Sequence, residues 1–189
     1  MPTQFHKNLD EHIELFSSLY TLNEPVELAA AMIAKSLRRG GRLLLCGNGG
    51  SAADCQHIAA ELTGRFVKDR PPISAISLTT DTSALTCISN DYSFNEIFSR
   101  QVRALGRHGD ILLVITTSGN SGNVLSALDA ANELGLQTIG LLGRDGGKAR
   151  QVCTHSIVVP SNVTARIQEA HILIGHTICG VVETELGLV

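Results

Sequence analysis

The sequence predicts an α/β fold: a five-stranded parallel sheet with helices on both faces, preceded by a pair of helices. Three observations predict it. From about residue 40 onward, short apolar runs alternate with segments of helical period. Strands separated by helices pair in parallel, and their crossovers cover both faces of the sheet. Two of the apolar runs end in Gly/Ser/Asn loops that lead into helices, the layout of a ligand site beyond the carboxyl edge of such a sheet.

The elements follow in order. Phe5, Leu9, Ile13, Phe16 and Tyr20 recur at steps of three and four, one apolar stripe on a first helix. Asn23-Glu24-Pro25 reads as a cap with Pro in the first turn. Val26, Ala29, Ile33 and Leu37 carry a second helix that stops at Arg39-Gly40-Gly41. This pair, residues 1–39, either covers the sheet or packs on another subunit. Residues 40–189 form the α/β core. The strands are expected at Arg42–Cys46, Ile73–Leu78, Ile111–Thr116, Gln137–Leu142 and His155–Val159. Helices are expected at Ser51–Thr63, Thr82–Ser89, Asn95–Ala104, Ser121–Leu134 and Thr164–Leu186. No linker or low-complexity stretch divides the 189 residues, so one domain is expected.

Composition narrows the function. A net charge of −3, no Arg/Lys-rich run, 4% aromatics and no Trp argue against a nucleic-acid partner. No apolar stretch reaches the roughly 20 residues of a membrane span, and Met1-Pro2-Thr3-Gln4 leads into no signal core. A cytoplasmic protein without a membrane partner is the expectation. The five cysteines are odd in number and scattered with no C-x-x-C pair, so reduced thiols are expected rather than disulfides or a thiolate zinc site.

The first strand runs into Gly47-Asn48-Gly49-Gly50-Ser51, and the third into Thr116-Thr117-Ser118-Gly119-Asn120-Ser121. Glycines let backbone approach a ligand, and helix N-termini present free N–H groups at a positive dipole end. Hydroxyls at Ser51, Thr116, Thr117, Ser118 and Ser121 add donors, so the two loops suit a phosphate monoester without Lys or Arg. The plainer alternative is two tight turns with Ser or Asn caps. A P-loop is excluded because no Gly-Lys-Ser/Thr follows. A dinucleotide site stays open, since Gly47, Gly49 and Ala52 fit G-x-G-x-x-A and Asp81 follows the second strand.

His57 and Glu61 stand four apart on the helix that opens at the first loop, so they share a face. A carboxylate there is a candidate base for a proton next to a carbonyl, and a His/Glu pair can supply two ligands to a divalent metal. An exposed surface pair is the competing reading. On the last helix, Gln168, His171 and His176 sit among apolar residues and need partners. Gln168 and His176 are eight residues apart, about 12 Å along a helix axis. They can share one ion only if their side chains lean together or a neighbouring subunit helps. His171 reads as a hydrogen-bonded core or interface histidine.

With these motifs in place, the chain resembles the phosphoheptose isomerases of the sugar-isomerase (SIS) domain family over nearly its whole length, most strongly from Gly41 to Glu183. The resemblance is carried by Gly47–Ser51, Gln56-His57 with Glu61-Leu62-Thr63-Gly64-Arg65, Asn90-Asp91, Thr117–Ser121, Arg144–Lys148, and Arg166-Ile167-Gln168-Glu169 with His171 and His176. The glycine loop is common to many SIS proteins; the set Glu61, Gln168 and His176 is more specific. The resemblance implies a flavodoxin-like sheet in a homotetramer with sites between subunits. It implies conversion of sedoheptulose 7-phosphate to D-glycero-D-manno-heptose 7-phosphate for lipopolysaccharide-core heptose. It further implies one zinc per subunit at His57, Glu61, Gln168 and His176. Substrate contacts are implied at Asn48, Gly49, Gly50, Ser51, Glu61, Asn90, Asp91, Thr116, Thr117, Ser118, Ser121 and Gln168. Glu61 would act as base and His176 as acid. Thr116 stands where a serine is commoner, which keeps the hydroxyl. Three other classes compete: a non-catalytic SIS protein that binds the replication initiator, a phosphosugar-sensing regulatory domain, and a dinucleotide enzyme. The first lacks a carboxylate at the position of Glu61, and the second is normally joined to a helix-turn-helix for which this chain has no room.

Overall fold

The computed structural model describes residues 1–189. Two N-terminal helices, α1 (Gln4–Ser18) and α2 (Asn23–Arg38), are joined by a 3₁₀ turn at Leu19–Leu22. Strands β1 (Leu43–Gly47), β2 (Ala75–Ser77), β3 (Ile111–Thr116), β4 (Gln137–Gly143) and β5 (His155–Val159) follow. They alternate with α3 (Gly50–Thr63), α4 (Thr82–Asp91), α5 (Ser99–Leu105), α6 (Gly122–Glu133), α7 (Ala149–Val152) and α8 (Thr164–Glu185). All four strand pairings are parallel, in the order β2-β1-β3-β4-β5. The expected sheet is therefore present, with its strand order reversing direction between β1 and β3. That switch point is where ligands of open α/β sheets bind.

Strand alternation divides the core. Leu43 and Leu45 of β1, with Ile111, Leu113 and Ile115 of β3, pack on one face with α2, α3 and α8. Leu44 and Cys46, with Leu112 and Val114, pack on the other with Phe98, Val102 and the apolar side of α6. Each central strand is buried on both faces, which is why it reads as a continuous apolar run.

Several elements differ from expectation, α4 by running two residues further to Asp91. β2 is three residues long because it is an edge strand paired only to β1; flanking ladder bonds from Leu43 N–H to Ser74 O and from Leu78 N–H to Leu45 O account for the longer apolar run. The helix expected over Asn95–Ala104 is a 3₁₀ turn at Phe94–Glu96 followed by α5, with Ile97 and Phe98 buried between. The short α7 has too few residues for a readable period. Asn23 is the first helical residue of α2 rather than its cap, and Leu22 at the cap position makes no side-chain bond.

The stripe expected on α1 is real but mostly uncovered: Phe5 is 71%, Ile13 55% and Tyr20 87% exposed, while Leu15 is the buried residue of this helix. Polar contacts hold α1 to α8. Arg166 donates to Glu169, to Glu11 and to Asn8 O, and Glu169 also pairs with His12 at 2.8 Å. The Arg166 guanidinium keeps the Glu169 carboxyl below its usual range. Arg166 and Glu169 of the Arg-Ile-Gln-Glu run thus spend their polar groups on packing.

His171 has the expected core role. It is fully buried, its Nε2–H donates to Leu142 O at 3.0 Å, and its Nδ1 has no partner. Burial pushes its pKa down to about 4. The unfolded chain protonates this imidazole near its usual 6.5, so between pH 6.5 and 4 the unfolded state binds the extra proton and stability falls as pH drops. The full contribution is present above pH 6.5, and the loss is roughly 3 kcal/mol by pH 4. His171→Gln keeps a donor but does not titrate. Its urea-unfolding free energy is expected to fall less over this range than that of the unaltered protein, and parallel curves would contradict the assignment.

Candidate active site

Both Gly/Ser/Asn loops sit at the carboxyl ends of the two strands that flank the switch point. Gly49 opens α3 with φ +56°, a left-handed value that favours glycine, and being glycine it offers no side-chain cap. Ser121 occupies the cap position of α6, yet its hydroxyl makes no cap bond and lies 3.5 Å from Thr116 Oγ1. Two helix N-termini are therefore left without side-chain acceptors, and the plainer reading of capped turns does not describe them. The first-turn N–H groups and the Ser121 hydroxyl remain available to an anion.

The two loops are one structure. Asn48 Nδ2 donates to Asn123 Oδ1 at 2.9 Å, and Asn123 Nδ2 returns the bond to Asn48 Oδ1 at 2.8 Å. Asn48 thus spends its side-chain amide on Asn123, which the sequence reading left out. Thr116 is buried, and its hydroxyl accepts from Gly119 N–H. Ser118 Oγ accepts from Asn120 N–H. Gly119, at φ +65°, passes so close to the 144–148 loop that a Cβ would sit 1.9 Å from Gly146 O. Lys148 N–H donates to Asn120 Oδ1, and Ala149 N–H to Gly119 O. The Arg144–Lys148 segment is a backing for the second loop. Asn95 lies against Gly122 from the other side, its Oδ1 2.6 Å from where a Cβ would stand.

α3 and α8 run side by side in the same direction. Gln168 faces Gly50, a Cβ on which would fall 2.3 Å from Gln168 Nε2; Gly175 faces Ile58; His176 faces His57. This pairing decides how the eight-residue spacing is used. Gln168 stands at the loop end of α3, and His176 two turns further along. There His57 Nε2 is 3.1 Å from Glu61 Oε1 and 3.3 Å from His176 Nε2. Phe66 stacks on the His176 ring at 5.5 Å between centroids, 27° from parallel. Glu61 and His176 are half-buried and His57 is exposed, so the group is open to a solute.

The ligand atoms of His57, Glu61 and His176 all lie within 4.8 Å of one another. Two imidazole nitrogens and a carboxylate oxygen match the donor preference of zinc, leaving a position open. Within the chain, Gln168 is not part of this cluster; its amide is at Gly50. Asn90 and Asp91 end α4 on the surface. Asn90 donates to Asp91 at 2.8 Å and Cys87 to the same carboxylate at 3.3 Å; the Asn90 and Cys87 bonds hold Asp91 below its usual range. Asp81, the residue on which a dinucleotide reading leans, caps α4 by accepting from Ala84 N–H at 2.9 Å.

Residues 7–143 match the SIS domain family model. The chain is 57% identical over 166 residues to phosphoheptose isomerase of Aliarcobacter butzleri, covering 88% of each protein. It is 48% identical over 187 residues to that of Helicobacter hepaticus, covering 99% of this chain and 95% of the relative. It superposes on the structure of a phosphoheptose isomerase from Neisseria gonorrhoeae with a TM-score of 0.90 and 47% identity, over 94% of this chain and 96% of the other. The family model ends at β4, so α8 with Gln168 and His176 is covered by the relatives rather than by the model.

Proposed function

The chain belongs to the SIS domain family and, within it, to the phosphoheptose isomerases, and we propose that it interconverts sedoheptulose 7-phosphate and D-glycero-D-manno-heptose 7-phosphate through an enediol. The observation that carries the mechanism is the meeting of Glu61, His57 and His176 on the same pair of helices that begins at the glycine loop. Ten residues of α3 separate Ser51 from Glu61, about 15 Å by helical rise, and the Glu61 side chain leans back toward the loop. An open-chain heptose carries its phosphate at one end and its reacting carbons at the other, which suits a cradle and an acid–base group separated along α3.

In this reading the phosphate sits on the N-termini of α3 and α6 with Ser51, Ser118 and Ser121, and with Asn48, Gly49, Gly50, Thr116 and Thr117 shaping the cradle. Gln168 reaches the sugar near Gly50, and Asn90 and Asp91 contribute from the end of α4. Glu61 takes the C1 proton of the ketose. His176 protonates the C2 carbonyl oxygen as acid and then takes the proton of the C1 hydroxyl, while Glu61 returns its proton to C2 to give the aldose. His57 bridges the two groups and orients them.

The donor set of His57, Glu61 and His176 fits zinc, and Gln168, whose amide lies beside Gly50, would join it only by leaning along α8 or from a neighbouring subunit. When bound, the metal supplies Lewis-acid polarisation of the substrate oxygens. Ligation also lowers the basicity of Glu61, so zinc is assigned an enhancing rather than an enabling role. The uncovered stripe of α1 borders a groove of about 680 Å³ lined by Phe16, Tyr20, Leu22, Val26 and Leu173, which supports self-association; the homotetramer is what the resemblance implies. No helix is long and apolar enough to cross a membrane. The activity belongs in the cytoplasm, at the start of heptose supply for lipopolysaccharide. The initiator-binding alternative is not favoured, because the relatives at this identity are phosphoheptose isomerases.

One experiment tests these assignments together. Purified protein is incubated with sedoheptulose 7-phosphate and followed by NMR, as purified, after chelation, and after zinc is restored, with sedimentation velocity on each sample. Aldose formation by a tetramer, slowed but not stopped by chelation, is expected. No aldose in any sample would overturn the isomerase assignment, no turnover until zinc returns would overturn the enhancing role, and an active monomer would overturn the shared site.

A further inference from the structure

We infer that the buried Arg70–Glu183 pair is a positioning clamp that sets Glu61 against His176. Arg70 lies outside every motif discussed above, in the segment between α3 and β2. Its side chain has no exposure, and that of Glu183 has 2%. Arg70 Nε donates to Glu183 Oε1 at 2.7 Å. Its remaining donors go mainly to the end of α3: one terminal nitrogen to Glu61 O at 2.7 Å, the other to Leu62 O at 2.7 Å and Gly64 O at 3.1 Å, with a further bond to the neighbouring Pro71 O at 3.1 Å. The last carbonyls of a helix have no partners within it, and a cation at that end also opposes the dipole. Arg70 therefore closes the turn that contains Glu61.

Glu183 ties that turn to α8. His176, Gly180 and Glu183 are spaced four and three apart, so they share one face of the helix. The same Glu183 oxygen accepts from Phe66 N–H at 3.4 Å. Phe66 is the ring stacked on His176, and its edge stands 3.6 Å from where a Cβ on Gly180 would be. The ion pair thus joins the backbone of Glu61, the ring over His176 and the helix that carries His176. It touches none of the reacting groups through their side chains. A planar guanidinium with five donors suits the task, since an ammonium offers a single centre that cannot span Glu183 and four carbonyls.

This inference rests on the acid–base roles assigned to Glu61 and His176, so the test carries Glu61→Gln beside the clamp variants. Glu183→Gln keeps the shape and removes the charge. Arg70→Lys keeps the charge and loses the fork, and it serves if the first variant is poorly folded. Both are checked by circular dichroism and assayed well below their melting temperatures. The expected result is a kcat lower by about 10²-fold, the cost of an ångström-scale misplacement, with KM for sedoheptulose 7-phosphate nearly unchanged because the phosphate cradle lies at the other end of α3. The His176 Hε1 proton resonance, shifted by the Phe66 ring, is expected to move toward its unstacked position in the same variants. Folded variants with normal kcat, or with a lowered kcat but an unmoved His176 resonance, would overturn the clamp while an inactive Glu61→Gln left the acid–base reading standing. An active Glu61→Gln would overturn both.

Discussion

Glu61→Gln is expected to bind sedoheptulose 7-phosphate with little change and to turn it over about two to four orders of magnitude more slowly, the usual contribution of a general base. The substitution keeps the side-chain volume and an oxygen that can still face His57, where Glu61 Oε1 now lies at 3.1 Å. It removes the carboxylate charge, and with it the capacity to accept a proton. The backbone of the residue stays anchored, since Glu61 O accepts from Arg70 whatever side chain is present. Folding and the phosphate cradle should therefore survive, and the loss should fall on kcat. Exchange of the C1 proton with solvent, read by NMR in deuterated buffer, should disappear together with turnover. Near-normal turnover in this variant would leave Glu61 as a ligand or surface residue and would remove the proposed mechanism.

His176→Gln is expected to lose activity on a similar scale, about 10² to 10⁴ in kcat. Gln can still hydrogen-bond His57 from α8 but cannot carry a proton to the substrate oxygens at neutral pH. The informative measurement is the double variant. His57 lies 3.1 Å from Glu61 and 3.3 Å from His176, so the three side chains form a continuous chain of contacts. Groups in one such chain are coupled, and the combined loss of Glu61→Gln/His176→Gln should be far smaller than the product of the single losses. A fully multiplicative double variant would show that the two residues act in separate steps. The single His176 variant should also lose the ring pair with Phe66, which can be followed without any assay.

The elements best read from the sequence were those with a repeated local signal. β3 and β5 stand at their expected residues, and α3, α6 and α8 lie within a residue of theirs. A central parallel strand is apolar throughout and a core helix is apolar every third or fourth residue, so each declares itself without a partner. The 94–105 region did not, because Phe98 is buried between a 3₁₀ turn and a short helix and its neighbours share no single period. The same division runs through the site. The Gly49 conformation and the His57–Glu61 pair are local, set by residue type and by helical spacing. Asn123, Phe66, Arg70 and Glu183 left no such mark. An Arg followed by two prolines and a Glu near the end of a helix carry no periodic signal, and 113 residues separate that Arg and Glu in the chain.

The sequence by itself determined that this chain is a parallel α/β protein with two Gly/Ser/Asn loops at strand ends, a His/Glu pair one turn apart and a second polar set on its last helix. Those features depend on backbone rules and on periods of two and 3.6 residues, which neighbouring residues satisfy alone. Only the tertiary structure decided which groups meet. The strand order places the loops of β1 and β3 side by side and lets Asn48 find Asn123. The parallel packing of α3 on α8 sends Gln168 to Gly50 and His176 to His57. It also turns Arg70 and Glu183 inward, where two opposite charges out of water are held only by meeting each other and the helix carbonyls around them. Contacts of this kind join residues more than a hundred positions apart, and no local period encodes them.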